Sequence, residues 1–235
     1  MFSQEFTHIA RNNYETLSPS AIKQRVSKGD QVMLSNELRR LLFQGEGGQK
    51  HDAEPLPCLS GDEVLAKAHV PTRYKSCTFD TFHAYSEEHK ARKLACESYS
   101  KHFNVARYDG VSMVLGGPQK GKTHLATAML FAVIASGSTG RLIRARRAIA
   151  AVVECGEDAL AELANPDLLV LDGLLSHPWD EAGRHAIFEL IERRFEEVKP
   201  TVITTHLRKA TFLRAVGDRI ASRLRENGGK FVSFE

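Results

Sequence analysis

The sequence predicts an α/β fold, a parallel sheet with helices on both faces, preceded by a small helical N-terminal module. Three observations carry this reading. From about residue 70, short apolar strand-like runs alternate with longer helical patterns. Leu168–Leu171 is apolar at every position, as in a strand buried on both sides. Gly116–Thr123 reads GGPQKGKT, a glycine-rich turn between an apolar strand and an apolar helix.

The elements follow in order. Ile22, Val26, Leu34, Leu38, Leu41 and Leu42 recur at near-helical spacing, which predicts two short helices within residues 1–45, with Ser20 and Ser35 as caps. So few residues bury little surface, and the apolar patch Leu38, Leu41, Leu42 and Phe43 suits either a partner protein or the neighbouring domain. Residues 46–69 are rich in breakers and read as a linker into a domain spanning 70–235. There, Val111–Leu115 is a short strand and Lys122–Ala135 an apolar helix. Arg141–Ile143 is a weak strand, and Asp180–Val198 is amphipathic, with Ala186, Ile187, Leu190, Ile191 and Phe195 on one face. Thr201–Thr204 is β-branched and strand-like. Ala210–Arg225 reads as one helix, and Phe231–Phe234 as the last strand.

Composition excludes several classes. The 235 residues are 42% hydrophobic and 26% charged, ordinary for a globular protein. The longest apolar run, Leu125–Ala135, falls short of the roughly 20 residues that cross a bilayer. The opening residues Met1–Glu5 show no signal-peptide pattern, so a cytoplasmic protein without membrane contact is expected. The four cysteines are scattered and read as reduced thiols; His51, Cys58 and Cys77 match no zinc spacing. Net charge is only +3, yet residues 206–235 hold seven basic and three acidic side chains. Arg141, Arg144, Arg146 and Arg147 form a second basic cluster; nucleic-acid contact and a solvated face both explain such counts.

The turn carries the chemistry. GxxxxGK[ST] spacing lets the backbone N–H groups of Gly116, Gly117, Pro118–Lys120 and Gly121 (Pro118 itself lacking one) wrap a β-phosphate at a helix N-terminus, with His124 next in line. Lys122 reaches the β/γ-phosphates and the Thr123 hydroxyl ligates Mg²⁺. Gln119 stands where many such loops have glycine. Asp172, ending the apolar run Leu168–Leu171, is the expected carboxylate for the metal. Gly173 follows it, where ATPases that activate water commonly carry Glu, so weak hydrolysis is expected. Asp180 and Glu181 read as the start of the next helix rather than as a substitute base.

Four ordered segments carry a family resemblance: GKTHLA (121–126), PDLLVLD (166–172), FELIERRFEEVKPTVITT (188–205) and GDRIASRLR (217–225). Together they resemble the DnaC/DnaI helicase loaders and the similar IstB transposition helpers, both AAA+ ATPases. VPTRYKSCTFDTF (70–82) resembles the stretch leading into that core. The resemblance covers about residues 70–235. It implies an AAA+ P-loop NTPase core, a five-stranded parallel sheet in the order 5-1-4-3-2; the family's usual helical lid is not expected here, since only twelve residues follow Arg223. It implies ATP and Mg²⁺ as cofactors, with Lys122 and Thr123 as the Walker A pair and Asp172 as the Walker B acid. His206 stands where the family usually has a sensor Asn after the fourth strand. Arg223, with Arg219 one turn earlier, falls on the arginine finger that completes a neighbouring subunit's site, which implies self-association.

Three functions stay open at this point. A helicase loader would bind a hexameric replicative DNA helicase and hold single-stranded DNA through Arg144, Arg146 and Arg147. A transposition helper would bind duplex DNA and a transposase. A nucleotide-binding adaptor with little hydrolysis would regulate a partner, which Gly173 makes credible.

Overall fold

The computed structural model describes residues 68–235. The helical module of 1–45, its apolar patch, and the residues of the linker up to 67, with His51 and Cys58, lie outside the described residues. The domain is an α/β fold around a five-stranded parallel sheet.

In chain order the elements are α1 (Glu87–Lys101), α2 (Phe103–Asp109), β1 (Met113–Gly116), α3 (Lys122–Ala135), β2 (Gly140–Arg144), α4 (Ala145–Cys155) and α5 (Glu157–Ala164). They continue with β3 (Leu168–Asp172), α6 (Glu181–Glu196), β4 (Thr201–Thr205), α7 (Lys209–Val216), α8 (Asp218–Arg225) and β5 (Lys230–Ser233). The spatial order β2-β3-β4-β1-β5 is the expected 5-1-4-3-2 read from the other edge.

The pleat sorts the strand residues onto two apolar faces. Met113, Leu115, Leu168, Val170 and Val202 pack with α1, α2 and α3, through Cys96, Phe103, Leu125, Met129 and Val133. Val114, Leu169, Leu171 and Ile203 pack with α4–α8, through Leu163, Ile187, Leu190, Phe212 and Ile220. Burial on both faces is why β3 shows no polar alternation. Packing begins before residue 70: Ala68 is fully buried and its carbonyl accepts from the Leu142 amide, on the edge strand β2.

One expected element is different. The single helix over 210–225 is two, because the chain leaves helical geometry at Gly217, where φ is 84°. Helices α1 and α2 have no counterpart in the sequence reading. Helix α1 is largely polar, and its local signal is the cap: the Ser86 hydroxyl accepts from the His89 amide, with Glu87 and Glu88 in the first turn. Among the described residues, no helix is long and apolar enough to cross a membrane.

Candidate functional site

The site lies at the carboxyl ends of β1, β3 and β4, where an open parallel sheet presents its loops. The phosphate loop leaves β1 at Gly116 and enters α3 at Lys122. Its shoulders are held by neighbouring strands. The Gly117 amide donates to Thr205 O at 3.3 Å, and the Gln119 amide to Phe234 O at 3.0 Å. Phe234 comes so close that a Cβ on Gly117, whose φ is 128°, would sit 2.4 Å from its carbonyl oxygen. Only glycine fits there. Pro118, Gln119 and Lys120 are exposed along the loop.

No side chain caps α3, and its first turn holds no acid. Its orphan N–H groups and the positive end of its dipole therefore face the loop, which is the arrangement that receives a phosphate. Lys122 Nζ donates to Gly117 O at 2.6 Å and also to Gln119 O. Burial pushes its pKa below the ordinary lysine value, Asp172 opposes that shift, and Arg92 adds to it. A phosphate arriving in the loop offers that ammonium a stronger acceptor than a carbonyl.

The two expected metal-binding residues are together. Thr123 Oγ1 donates to Asp172 Oδ1 at 2.7 Å, although 49 positions separate them. A hydroxyl beside a carboxylate is a hard oxygen set of the kind Mg²⁺ takes, so the donors fit that ion. A third residue was missed from sequence: Thr204 Oγ1 donates to the same Asp172 Oδ1 at 2.8 Å and accepts from the Gly173 amide at 2.8 Å. The hydroxyl-rich run of β4 was its only local signal. Gly173 itself sits at φ 74°, in a turn that a side chain enters only with strain. Asp180 caps α6, its Oδ1 accepting from the Gly183 amide at 2.8 Å, as expected of a helix start.

The flank of the loop is closed by the segment before α1. His124 Nε2 lies 2.8 Å from Thr78 O and 3.3 Å from Thr81 Oγ1, and its ring meets Phe82 edge-on at 5.4 Å. His124 thus ties the approaching chain to α3.

The remaining expected residues are more scattered. His206 is exposed just past β4. Arg223 on α8 makes a two-pronged pair with Glu192 on α6, at 2.9 and 2.8 Å, and stacks over Phe195 at 4.4 Å. Arg219 is exposed, its guanidinium 5.5 Å from the Phe188 ring centroid. Arg144 ends β2, and Arg146 and Arg147 stand exposed in the first turn of α4. Arg141 leaves that cluster, because its guanidinium pairs with Glu162 at 2.7 Å. Cys77, Cys96 and Cys155 are free thiols.

With this geometry in hand, the comparison with known families is decisive. The model of the IstB-like ATP binding protein family matches residues 64–223, more than half of the chain and nearly every site residue above. The chain belongs to the IstB-like ATP-binding family. It is therefore an ATP-binding protein with an AAA+ ATPase core. Among curated relatives, it is 24% identical over 184 residues to the uncharacterized protein YdaV of Escherichia coli K12, covering 74% of this chain and 71% of YdaV. It is 23% identical over 170 residues to the replicative helicase loader DnaC of Escherichia coli K12, 68% of each chain. The crystal structure of a DnaC helicase loader superposes with a TM-score of 0.62 at 26% identity, covering 70% of this chain and 100% of that one. The resemblance to the DnaC-type helicase loaders and the IstB-like proteins that the ordered motifs carry is thus borne out.

Proposed function

We propose that this protein is an ATP-dependent loader of a replicative helicase. The observation that carries the reading is the similarity to DnaC, in sequence over 170 residues and in fold at a TM-score of 0.62. ATP binds in the loop, with Lys122 on its phosphates. Thr123 and Asp172 would hold Mg²⁺, which neutralises charge on the phosphates when bound; Thr204 keeps the Asp172 carboxylate in place. Hydrolysis is weak, because Gly173 supplies no carboxylate to orient water. Arg223, released from Glu192, reaches the nucleotide of an adjacent copy, with Arg219 beside it, and His206 senses the phosphates from the end of β4. Arg144, Arg146 and Arg147 track the backbone of single-stranded DNA. The segment 1–45 contacts a hexameric helicase, and the protein works in the cytoplasm.

The family match itself favours a second reading, that of a transposition helper that binds duplex DNA and a transposase. A non-hydrolysing adaptor is the third. Affinity capture from the native host, with wild type and Lys122→Ala, separates them. A loader recovers a replicative helicase and prefers single strands in a filter-binding assay. Recovery of a transposase without helicase would replace the first reading with the second. Helicase binding with no DNA-stimulated ATP turnover would favour the adaptor.

A further inference from the structure

We propose that Arg92 is a positioning residue of the nucleotide site, holding the phosphate loop through Gln119 and placing a second cation behind Lys122. The inference rests on the ATP-binding reading and goes beyond the residues of the family motif.

Arg92 lies on α1, far from the loop in sequence, and is only 7% exposed. One arm of its guanidinium donates to Gln119 Oε1 at 2.5 Å, and the other to the main-chain oxygen of Glu235 at 2.5 Å. Its Cζ lies 5.1 Å from the Phe234 ring centroid, and Lys122 Nζ lies 5.5 Å from the same ring. Two cations thus share one aromatic ring at the edge of the cradle. Among the described residues no side-chain carboxylate pairs with Arg92. Its partners are the side-chain amide oxygen of Gln119 on the loop and the main-chain oxygen of Glu235 beyond β5.

Gln119 is the position where this loop departs from glycine. A side chain on an exposed loop costs entropy to order. Arg92 fixes it, and through it the carbonyl of the same residue that accepts from Lys122. The planar fork of Arg92 spans both of its acceptors; a lysine has one tetrahedral head and reaches one.

The test is a double-mutant cycle read by titration of a fluorescent ADP analogue. Gln119→Ala removes one acceptor of the Arg92 guanidinium, and a thermal melt without nucleotide reads its stability cost apart from its effect on binding. Arg92→Lys keeps the charge and breaks the fork. Each is expected to weaken binding about tenfold, and the double variant no more than Arg92→Lys alone. Arg92→Gln loses charge as well, and is expected to weaken binding further and flatten its salt dependence. Wild-type affinity in Gln119→Ala, or losses that multiply in the double variant, would overturn the proposal. Lys122→Ala is the control. If it binds the analogue normally, the nucleotide reading itself fails; if it does not bind, while the Arg92 and Gln119 variants bind like wild type, this inference alone fails.

Discussion

The two ends of the sheet each bury an arginine, and the two are used in opposite ways. At the amino end, Arg194 of α6 is completely buried. It donates to Thr201 Oγ1 at 2.9 Å and to the carbonyls of Ala164 and Pro166 at 2.8 Å each. Pro200 O at 2.6 Å and Asp167 O at 3.4 Å complete its set of acceptors. These acceptors sit at the end of α5 and at the approaches to β3 and β4, so the guanidinium ties together three chain segments that cannot move independently. At the carboxyl end, Lys122 and one arm of Arg92 donate to a loop whose Pro118, Gln119 and Lys120 face solvent, while the other arm of Arg92 donates to Glu235 O. Burial of a cation does not mark a site. What distinguishes the two ends is whether the acceptors belong to fixed structure or to a loop that an anion can enter.

Arg194→Met leaves a ring of carbonyls without donors and is expected to cost about 3 kcal/mol, or roughly 6–12 °C in melting temperature. Nucleotide affinity of the folded fraction should stay within about twofold. A large loss of affinity at unchanged stability, seen by thermal melts and ligand titration together, would show that the amino end is not merely structural.

Thr204→Val is the isosteric counterpart at the carboxyl end. It strips Asp172 and the Gly173 amide of one shared hydroxyl, and is expected to slow steady-state ATP turnover about tenfold with a stability loss of about 1 kcal/mol. Turnover at the wild-type rate would remove Thr204 from the site.

Alkaline pH sharpens the same contrast. Because burial lowers the Lys122 pKa, the free protein surrenders that proton at a lower pH than an ordinary lysine does. A bound triphosphate favours the ammonium and raises the pKa again, so binding takes up a proton in the alkaline range. Affinity is therefore expected to be flat near neutrality and to fall as pH rises through the free-state pKa of Lys122. Affinity that rises with pH over that window would contradict the contact.

Arg223 belongs to neither end, being held on the surface between α8 and α6 by Glu192. Arg223→Ala is expected to change nucleotide affinity by less than about twofold and to abolish the cooperative dependence of turnover on ATP concentration. Unchanged cooperativity would leave the Glu192 pair as its whole role.

How much of this was legible depended on whether the cause was local. The strands, the glycine-rich turn and Asp172 are each announced by a few consecutive residues, because backbone conformation and two-sided burial act over that range. Helix α1 was not, since its polar sequence hides its buried face and only Ser86 and the acids after it speak for it. The break at Gly217 was overlooked because helical periodicity resumes directly beyond it. The pairing of Thr204 with Asp172 needed β4 to lie beside β3, and the pairing of Arg92 with Gln119 needed α1 to pack on α3. Neither adjacency is written in any short stretch of sequence.

Calorimetric titration of the full chain with ATPγS and Mg²⁺, beside Lys122→Ala, tests the central claim most directly. The account predicts a saturable heat of binding for the wild type and none for the variant. A wild type that gives no heat, or a variant that binds as tightly as the wild type, would contradict it.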